Sequence, residues 1–232
     1  MTQFPRALPH GPIEEVFPDV FFVTGGYRAG AGVTITRNMT IVRRGGALVL
    51  VNSVRLTDEG ERELAKLGEV KHVIRLGSFH GVDDPYYASR FEVPIWGPPK
   101  MKHSRSITDA RELRPDSHPL DGDTIFSFDK GNVAEAALVL KAHGGVLVTC
   151  DSYQNWTSFD GCSFAGKWVL RAMGFGPLHI GGPWTKAMGP AVRDDFNRLL
   201  AIEFRHLLPA HGTPLRDTAV DGLHTAIKKR FG

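Results

Sequence analysis

The stretch GGALVLVNSVRLTDEGERELAKLGEVKHVIRLGSFHGVDDPYY, residues 45–87, decides the fold because it predicts a strand, a helix and a second strand in succession. Thr57 occupies an N-cap position, acidic residues follow it, and Gly68 stands where the helix should end. A unit of this kind is normally joined by a parallel crossover. The polar segment 75–87 therefore follows the C-terminal end of a parallel strand, where open α/β sheets bind ligands.

Further strands are predicted along the chain by runs rich in β-branched and apolar residues. These runs are VFFVTGGY (20–27), TITRNMTIVRR (34–44), a short run near Thr124–Phe128, AALVLKAHGG (136–145), GVLVTCDS (145–152) and RHLLPAHGTPL (205–215). Apolar residues at helical spacing in GPAVRDDFNRLLAIEF (189–204) predict a helix. The pattern indicates an α/β protein.

The composition is that of one globular domain, with 232 residues of which 42% are apolar and 23% charged. No apolar run approaches the roughly 20 residues of a membrane-spanning helix, and no signal-peptide pattern is present. Two cysteines are too few for a disulfide framework. The net charge of +3 is spread along the chain and forms no basic stripe. We expect a cytoplasmic protein with no nucleic-acid and no membrane partner.

Polar side chains stand at the ends of three predicted strands: His80 with Asp83 and Asp84, then Asp151, then His211. Taken singly, a histidine is more often packed or solvated than a ligand, and Asp-Asp-Pro is an ordinary turn. Their repeated placement at strand ends shifts the balance. Histidine nitrogen and aspartate oxygen are ligands that zinc, iron and manganese accept. The sequence therefore predicts a metal site formed by these five residues.

The order of strands, the loop around His80, the aspartate that ends GVLVTCDS and the turn LPAHGTPL resemble the metallo-β-lactamase superfamily. The resemblance covers residues 16–215. It implies an α/β (α+β) fold, a four-layer αββα sandwich of two packed mixed sheets with outer helices. We expect one metallo-β-lactamase-like domain over residues 1–232.

In that superfamily a motif H-x-H-x-D-H follows a strand, and the resemblance leaves two registers open. If His80 is the second histidine, Ser78 replaces the first and Asp83 the last. If His80 is the first histidine, Asp84 matches the aspartate. Val82 replaces a ligand in both registers. The resemblance thus implies a degenerate active site.

Of the three later ligand positions, two match the superfamily and one does not. Asn132 falls where the superfamily has its third histidine, whereas Asp151 matches the aspartate that bridges two metals and His211 matches the last histidine. The resemblance implies that the first, histidine-rich metal site is empty or weak and that one cation remains, held by the five polar residues named above. Such oxygen-rich ligands suit manganese, iron or magnesium better than tightly bound zinc. We expect either one divalent metal (Mn, Fe or Zn) or none.

Two other residues and one segment have more than one interpretation. Asn52 sits where the superfamily often has an aspartate that orients the ligand loops, although a turn asparagine is the more common role. Cys150 is expected to be a small buried side chain, because nothing cationic stands beside it. The aromatic segment 152–177 is predicted to be a lid or an irregular helical insert.

Two functions compete at this stage. The first is a metal-dependent hydrolase of a small ester, thioester, lactone or phosphoester, with Asp83, Asp84 and Asp151 in catalytic positions. The second is a non-catalytic ligand-binding or interaction protein that has lost the metal site. A serine nucleophile at Ser78 or Ser152 lacks a G-x-S-x-G elbow and is the remotest option. The expected partner is a small molecule, a homo-oligomer is left open, and no substrate-binding residue is assigned.

Overall fold

Residues 4–232 are described in the computed structural model, where strand β4 (Ala47–Val51) is buried on both faces. Val49 and Val51 point into one apolar core, whereas Leu48 and Leu50 point into another. Because successive side chains of a strand alternate between faces, an apolar run such as ALVLV needs a covering layer on each side. The buried strand predicted here is confirmed.

The predicted crossover is also present. Helix α1 (Asp58–Leu67) connects β4 to β5 (Glu69–Ile74), and these two strands pair in parallel. The Thr57 hydroxyl accepts a hydrogen bond from the backbone N–H of Gly60, which caps the first turn of the helix. The segment that contains His80 therefore begins where a parallel strand ends.

Two sheets are formed by the described residues. The first contains seven strands in sequence order: β1 (Glu14–Phe17), β2 (Val20–Gly30), β3 (Val33–Arg44), β4, β5, β6 (Ile95–Gly97) and β7 (Ala110–Glu112). The second contains, in sequence order, β8 (Thr124–Ser127), β9 (Ala136–Leu140), β10 (Val146–Thr149) and β11 (His206–Pro209). Their spatial order is β11, β10, β9, β8, and only the β10–β11 pair within this second sheet is parallel.

Helices cover the outer face of each sheet. Besides α1, the described residues form α2 (Asp84–Phe91), α3 (Phe164–Ala172), α4 (Gly182–Met188), α5 (Val192–Leu199) and α6 (Ala219–Phe231), with a 3₁₀ turn at Ala142–Gly144. Leu64 of α1 and Tyr87 of α2 pack on the first sheet. Trp184, Phe196 and Leu223, from α4, α5 and α6, pack on the second. The predicted four-layer αββα sandwich is confirmed.

The aromatic segment 152–177 contains a regular helix. Leu170 of α3 is buried against Trp156 and Cys162, while Phe164 and Trp168 on the same helix are exposed.

Among the helices of residues 4–232, none has both the length and the apolar character needed to cross a membrane.

Candidate metal centre

Three of the predicted ligands meet at one edge of the sandwich. Asp151 follows β10 and His211 follows β11, and these strands are parallel neighbours in which Thr149 pairs with Pro209. His80 lies on the loop after β5 of the facing sheet. We call His80, Asp151 and His211 the histidine–aspartate cluster.

Asn52 connects the strand ends that carry two members of the cluster. Its φ of 55° lies in the left-handed region, which asparagine tolerates in turns. Its side-chain amide donates to the carbonyl of Thr149 (3.1 Å), and its side-chain oxygen accepts from the backbone N–H of Leu76 (3.1 Å). Asn52 is therefore a turn asparagine that also fixes the loops leading to His80 and Asp151.

The ionisable atoms of the cluster are close to one another. The Nε2 atoms of His80 and His211 are 3.1 Å apart. The Asp151 carboxylate lies 3.6 Å from His80 Nε2 through Oδ2 and 3.4 Å from His211 Nε2 through Oδ1. The Asp151 side chain is 13% exposed and the two histidines less, so the cluster is nearly closed to solvent.

These separations fit a shared divalent cation. Ligand bonds of about 2.0–2.2 Å at angles of roughly 95–110°, at and somewhat below tetrahedral, place neighbouring ligand atoms roughly 3.0–3.6 Å apart. His211 Nδ1 donates to the carbonyl of Thr36 (2.9 Å), so on a neutral ring the lone pair is on Nε2, which faces the cluster. Buried Nδ1 of His80 lacks such a contact among the described residues. The separations and the orientation of His211 are suited to one metal ion.

The charge state of the cluster also favours a cation. Burial would raise the pKa of Asp151, but the rings of His80 and His211 beside it lower that pKa, so the carboxylate is ionised. Burial lowers the pKa of His80 and the Asp151 charge opposes that shift; the neutral form of the ring is the one that binds metals. Glu135 accepts hydrogen bonds from the backbone N–H groups of Asp151 (3.0 Å) and Ser152 (3.1 Å). Burial, followed by the Asp151 charge, raises the pKa of Glu135 well above its ordinary range.

Two residues outside the predicted ligand set orient the cluster. Trp156 Nε1 donates to Gln154 Oε1 (2.7 Å), and Gln154 Nε2 donates to Asp151 Oδ1 (3.3 Å). The indole of Trp156 also stacks on the ring of His211. Both belong to the segment predicted as a lid or insert, and no spacing rule marked them.

Cys150 is buried, as predicted, but it also lies beside the cluster. Its Sγ is 3.6 Å from Asp151 Oδ2, and ligand atoms of His80, Cys150 and Asp151 all lie within 4.8 Å of one another. Burial, followed by the Asp151 charge, raises the pKa of the thiol. Neighbouring residues in a strand face opposite ways, but β10 ends at Thr149, so Cys150 and Asp151 escape this alternation. Because zinc binds sulfur well, a thiol at this distance weakens the expectation that the site prefers manganese, iron or magnesium to zinc.

The structure does not bring Asp83 and Asp84 to the cluster. The Asp83 carboxylate forms a buried ion pair with Arg37 and accepts from the backbone N–H of Arg55 (2.9 Å). Asp84 Oδ1 accepts from the hydroxyl of Ser53 (2.7 Å), and burial raises the Asp84 pKa. Because α2 begins at Asp84, the helix turns both carboxylates toward β3 and the loop after β4. Their role as ligands or catalysts stays a prediction.

Ser78 and Asn132, where the resemblance leads us to expect histidines, have other contacts. The Ser78 hydroxyl donates to the carbonyl of Ala134 (2.8 Å), and the backbone N–H of Asn132 donates to the carbonyl of Met188 (3.0 Å). Gly77 forms an isolated bridge with Glu135. Backbone pairing thus joins the loop after β5 to the segment before β9.

Neither a protein-family model nor a curated protein sequence matches the chain, but many solved structures share its fold. It is similar to the crystal structure of VMB-1, with a TM-score of 0.68, 11% identity and coverage of 95% of this chain and 97% of that chain. The DIM-1 metallo-β-lactamase has a TM-score of 0.67 and 13% identity, over 95% of this chain and 99% of that chain. The metallo-β-lactamase FIM-1 from Pseudomonas aeruginosa, in its mono-zinc form, has a TM-score of 0.63 and 13% identity, over 97% of this chain and 97% of that chain. The resemblance seen in the sequence is confirmed at the level of the fold, and the chain is a protein of the metallo-β-lactamase fold.

Proposed function

We propose that this chain is a hydrolase that binds one divalent cation with His80, Asp151 and His211 and cleaves a small ester, thioester, lactone or phosphoester. The observation that carries the proposal is the convergence of two imidazole nitrogens 3.1 Å apart, each within 3.6 Å of one oxygen of the Asp151 carboxylate. The mono-zinc form of FIM-1 lends support by analogy, because it shows one metal on this fold.

The chain's residues have separate parts in this chemistry. When bound, a divalent cation polarises a carbonyl or phosphoryl oxygen as a Lewis acid. Asp151 supplies the negative charge that attracts the cation, and the Thr36 carbonyl holds His211 with Nε2 toward it. Cys150 offers a soft ligand at the same edge, so manganese, iron and zinc are all cations to test. A protein that had lost the metal site would have no need to keep these groups oriented toward one another. Their observed orientation therefore favours the hydrolase over the non-catalytic alternative.

The test measures metal and turnover together. The protein is purified without added metal, bound manganese, iron and zinc per chain are measured by elemental analysis, and each metal is then titrated. Asp151→Ala and His211→Ala are compared with Asp116→Ala and His224→Ala, which remove exposed side chains of the same types. The same proteins are screened against an aryl ester, a thioester, a lactone and a phosphodiester.

We expect near-stoichiometric metal in the unmodified protein and in both exposed-site controls. In the two cluster variants metal affinity should fall by more than the roughly 10–100-fold that loss of an outer-shell partner produces, and turnover should disappear. Turnover that persists unchanged in Asp151→Ala and His211→Ala would refute the proposal. So would a protein that neither contains nor takes up any of the three metals.

A further inference from the structure

A cleft of about 510 Å³ adjoins the histidine–aspartate cluster along the same edge of the sandwich. It lies between the loop after β6 and residues 131–135, and Ser78 and Glu135 form the wall nearest the cluster. Glu135 contacts the backbone of Asp151, and Ser78 precedes His80 by two residues. The cleft is therefore connected to the cluster through Glu135 and the loop that carries Ser78, while none of the three cluster residues lines the cleft itself.

The cleft is lined by three cationic side chains, those of Arg75, Lys100 and Lys102. In residues 4–232, no carboxylate lies within 4.0 Å of any of these three cationic groups. Cations without an ion-pair partner around a concave surface produce a positive potential that is stronger than on a flat surface. The lining thus favours an anionic occupant.

Arg75 differs from the two lysines because it is buried. Its guanidinium donates to the carbonyls of Gly77 (3.0 Å), Ser78 (2.6 Å) and Lys102 (3.1 Å). Three carbonyl dipoles hold the group in place without cancelling its charge. Arg75 therefore fixes the loop after β5 against the lysine-bearing loop and leaves a permanent positive charge at the cleft.

The acidic residues of the lining are engaged elsewhere. Asp129 pairs with Arg198 (3.2 Å), whose guanidinium lies outside the lining of this cleft. Glu135 directs Oε1 at the backbone N–H groups of Asp151 and Ser152. Neither carboxylate contacts the lysines, so the cationic character of the cleft is not offset locally.

We propose that the cleft binds the oxyanion group, phosphate or carboxylate, of a substrate whose scissile bond lies at the histidine–aspartate cluster. The substrate class is then a small anionic ester, thioester or phosphoester. Lys100 and Lys102 act as flexible point charges that follow the oxyanion, while Arg75 holds the two loops at a fixed separation. This inference rests on the proposed function for the reaction but not for the anion site itself.

The test uses the full chain freed of metal by a chelator, so that an anion cannot bind to a cation at the cluster. Inorganic phosphate and succinate are titrated separately by calorimetry, which distinguishes a phosphate site from a carboxylate site. The Lys100→Gln/Lys102→Gln double variant is compared with Lys141→Gln, which removes an exposed charge at the opposite end of β9.

We expect saturable binding of at least one of the two anions. The double variant should weaken it at least about tenfold, whereas Lys141→Gln should leave it unchanged. Absence of binding of both anions at millimolar concentration, or equal affinity in the double variant, would overturn the anion site. The metal content of the double variant is measured in parallel. If the double variant keeps its metal but loses anion binding, the anion site is independent of the metal site. If the unmodified protein binds phosphate but takes up no metal, the proposed function is refuted and the anion site stands.

Discussion

The indole of Trp156 lies almost parallel to the imidazole of His211, with 19° between the ring planes and 5.4 Å between their centroids. The same indole donates its N–H to Gln154, which in turn donates to the Asp151 carboxylate. One aromatic residue thus orients both proposed ligands that come from the second sheet. Groups that orient ligands in this way affect metal affinity without touching the metal.

Replacing Trp156 by Phe should weaken metal binding about 10–100-fold. Phenylalanine retains an aromatic face for His211 but has no N–H, so the Gln154 amide is free to rotate away from Asp151. Calorimetric titration of the metal-free protein measures the affinity, and the visible spectrum of the cobalt-substituted protein reports the ligand geometry.

Gln154→Met is the companion variant, because it keeps the length of the side chain and removes the amide. It should reproduce the loss seen in Trp156→Phe, while Trp168→Phe on the exposed face of α3 serves as the matched control. Equal metal affinity in all four proteins would show that the hydrogen-bonded pair is only structural.

The tautomer of His211 provides a second prediction. Since Nδ1 faces the Thr36 carbonyl at 2.9 Å, the metal-free protein should have His211 in the Nδ1–H form, with Nε2 unprotonated. Long-range ¹H–¹⁵N correlation spectra of histidine side chains at neutral pH distinguish the two tautomers. Exposed His224 serves as the reference ring. A dominant Nε2–H form of His211 would mean that this nitrogen is not prepared to receive a cation.

Asp83 should matter for stability rather than for metal binding. Asp83→Asn leaves the Arg37 guanidinium buried without its counter-ion, which should reduce the free energy of unfolding by about 3–5 kcal/mol. Asp84→Asn keeps a similar shape and alters one hydrogen bond with Ser53, so a loss of about 1 kcal/mol is expected. Urea unfolding measures both changes.

Metal content decides between this account and the ligand role predicted from the sequence. Both variants should retain the metal stoichiometry of the unmodified protein after purification. If either variant loses its metal while remaining folded, that aspartate is a ligand, and the loop after His80 must move toward the cluster when metal binds.

The local signals in the sequence were sufficient to predict most of the fold. The run ALVLV needs cover on both faces, and Thr57 and Gly68 mark the ends of α1, so the crossover follows from adjacent residues alone. His80, Asp151 and His211 were predicted because each follows an apolar strand, a relationship that is also local.

The contacts that complete the site join segments far apart in the chain and have no local signal. Thr36 meets His211 across 175 positions, and only the packing of the two sheets brings them together. Asp83 and Asp84 were grouped with His80 because they are close in sequence, but the start of α2 turns them toward Arg37 and the loop after β4. The position of polar residues just after a strand therefore predicts where the site lies better than it predicts which residues are ligands.

Acid sensitivity is expected from His179, whose pKa is lowered to about 4 by burial and by the nearby charges of Arg230 and Lys229. The unfolded chain takes up this proton near pH 6.5, whereas the folded protein takes it up only near pH 4. Between these values the unfolded state binds more protons, so the free energy of unfolding should fall as the pH decreases from about 6.5 to 4. His179→Gln removes the titrating group and should flatten this part of the curve, whereas His224→Gln at an exposed position should not. Urea unfolding at several pH values across this window measures the slope, and identical slopes in the His179→Gln variant and the unmodified protein would show that His179 is not responsible.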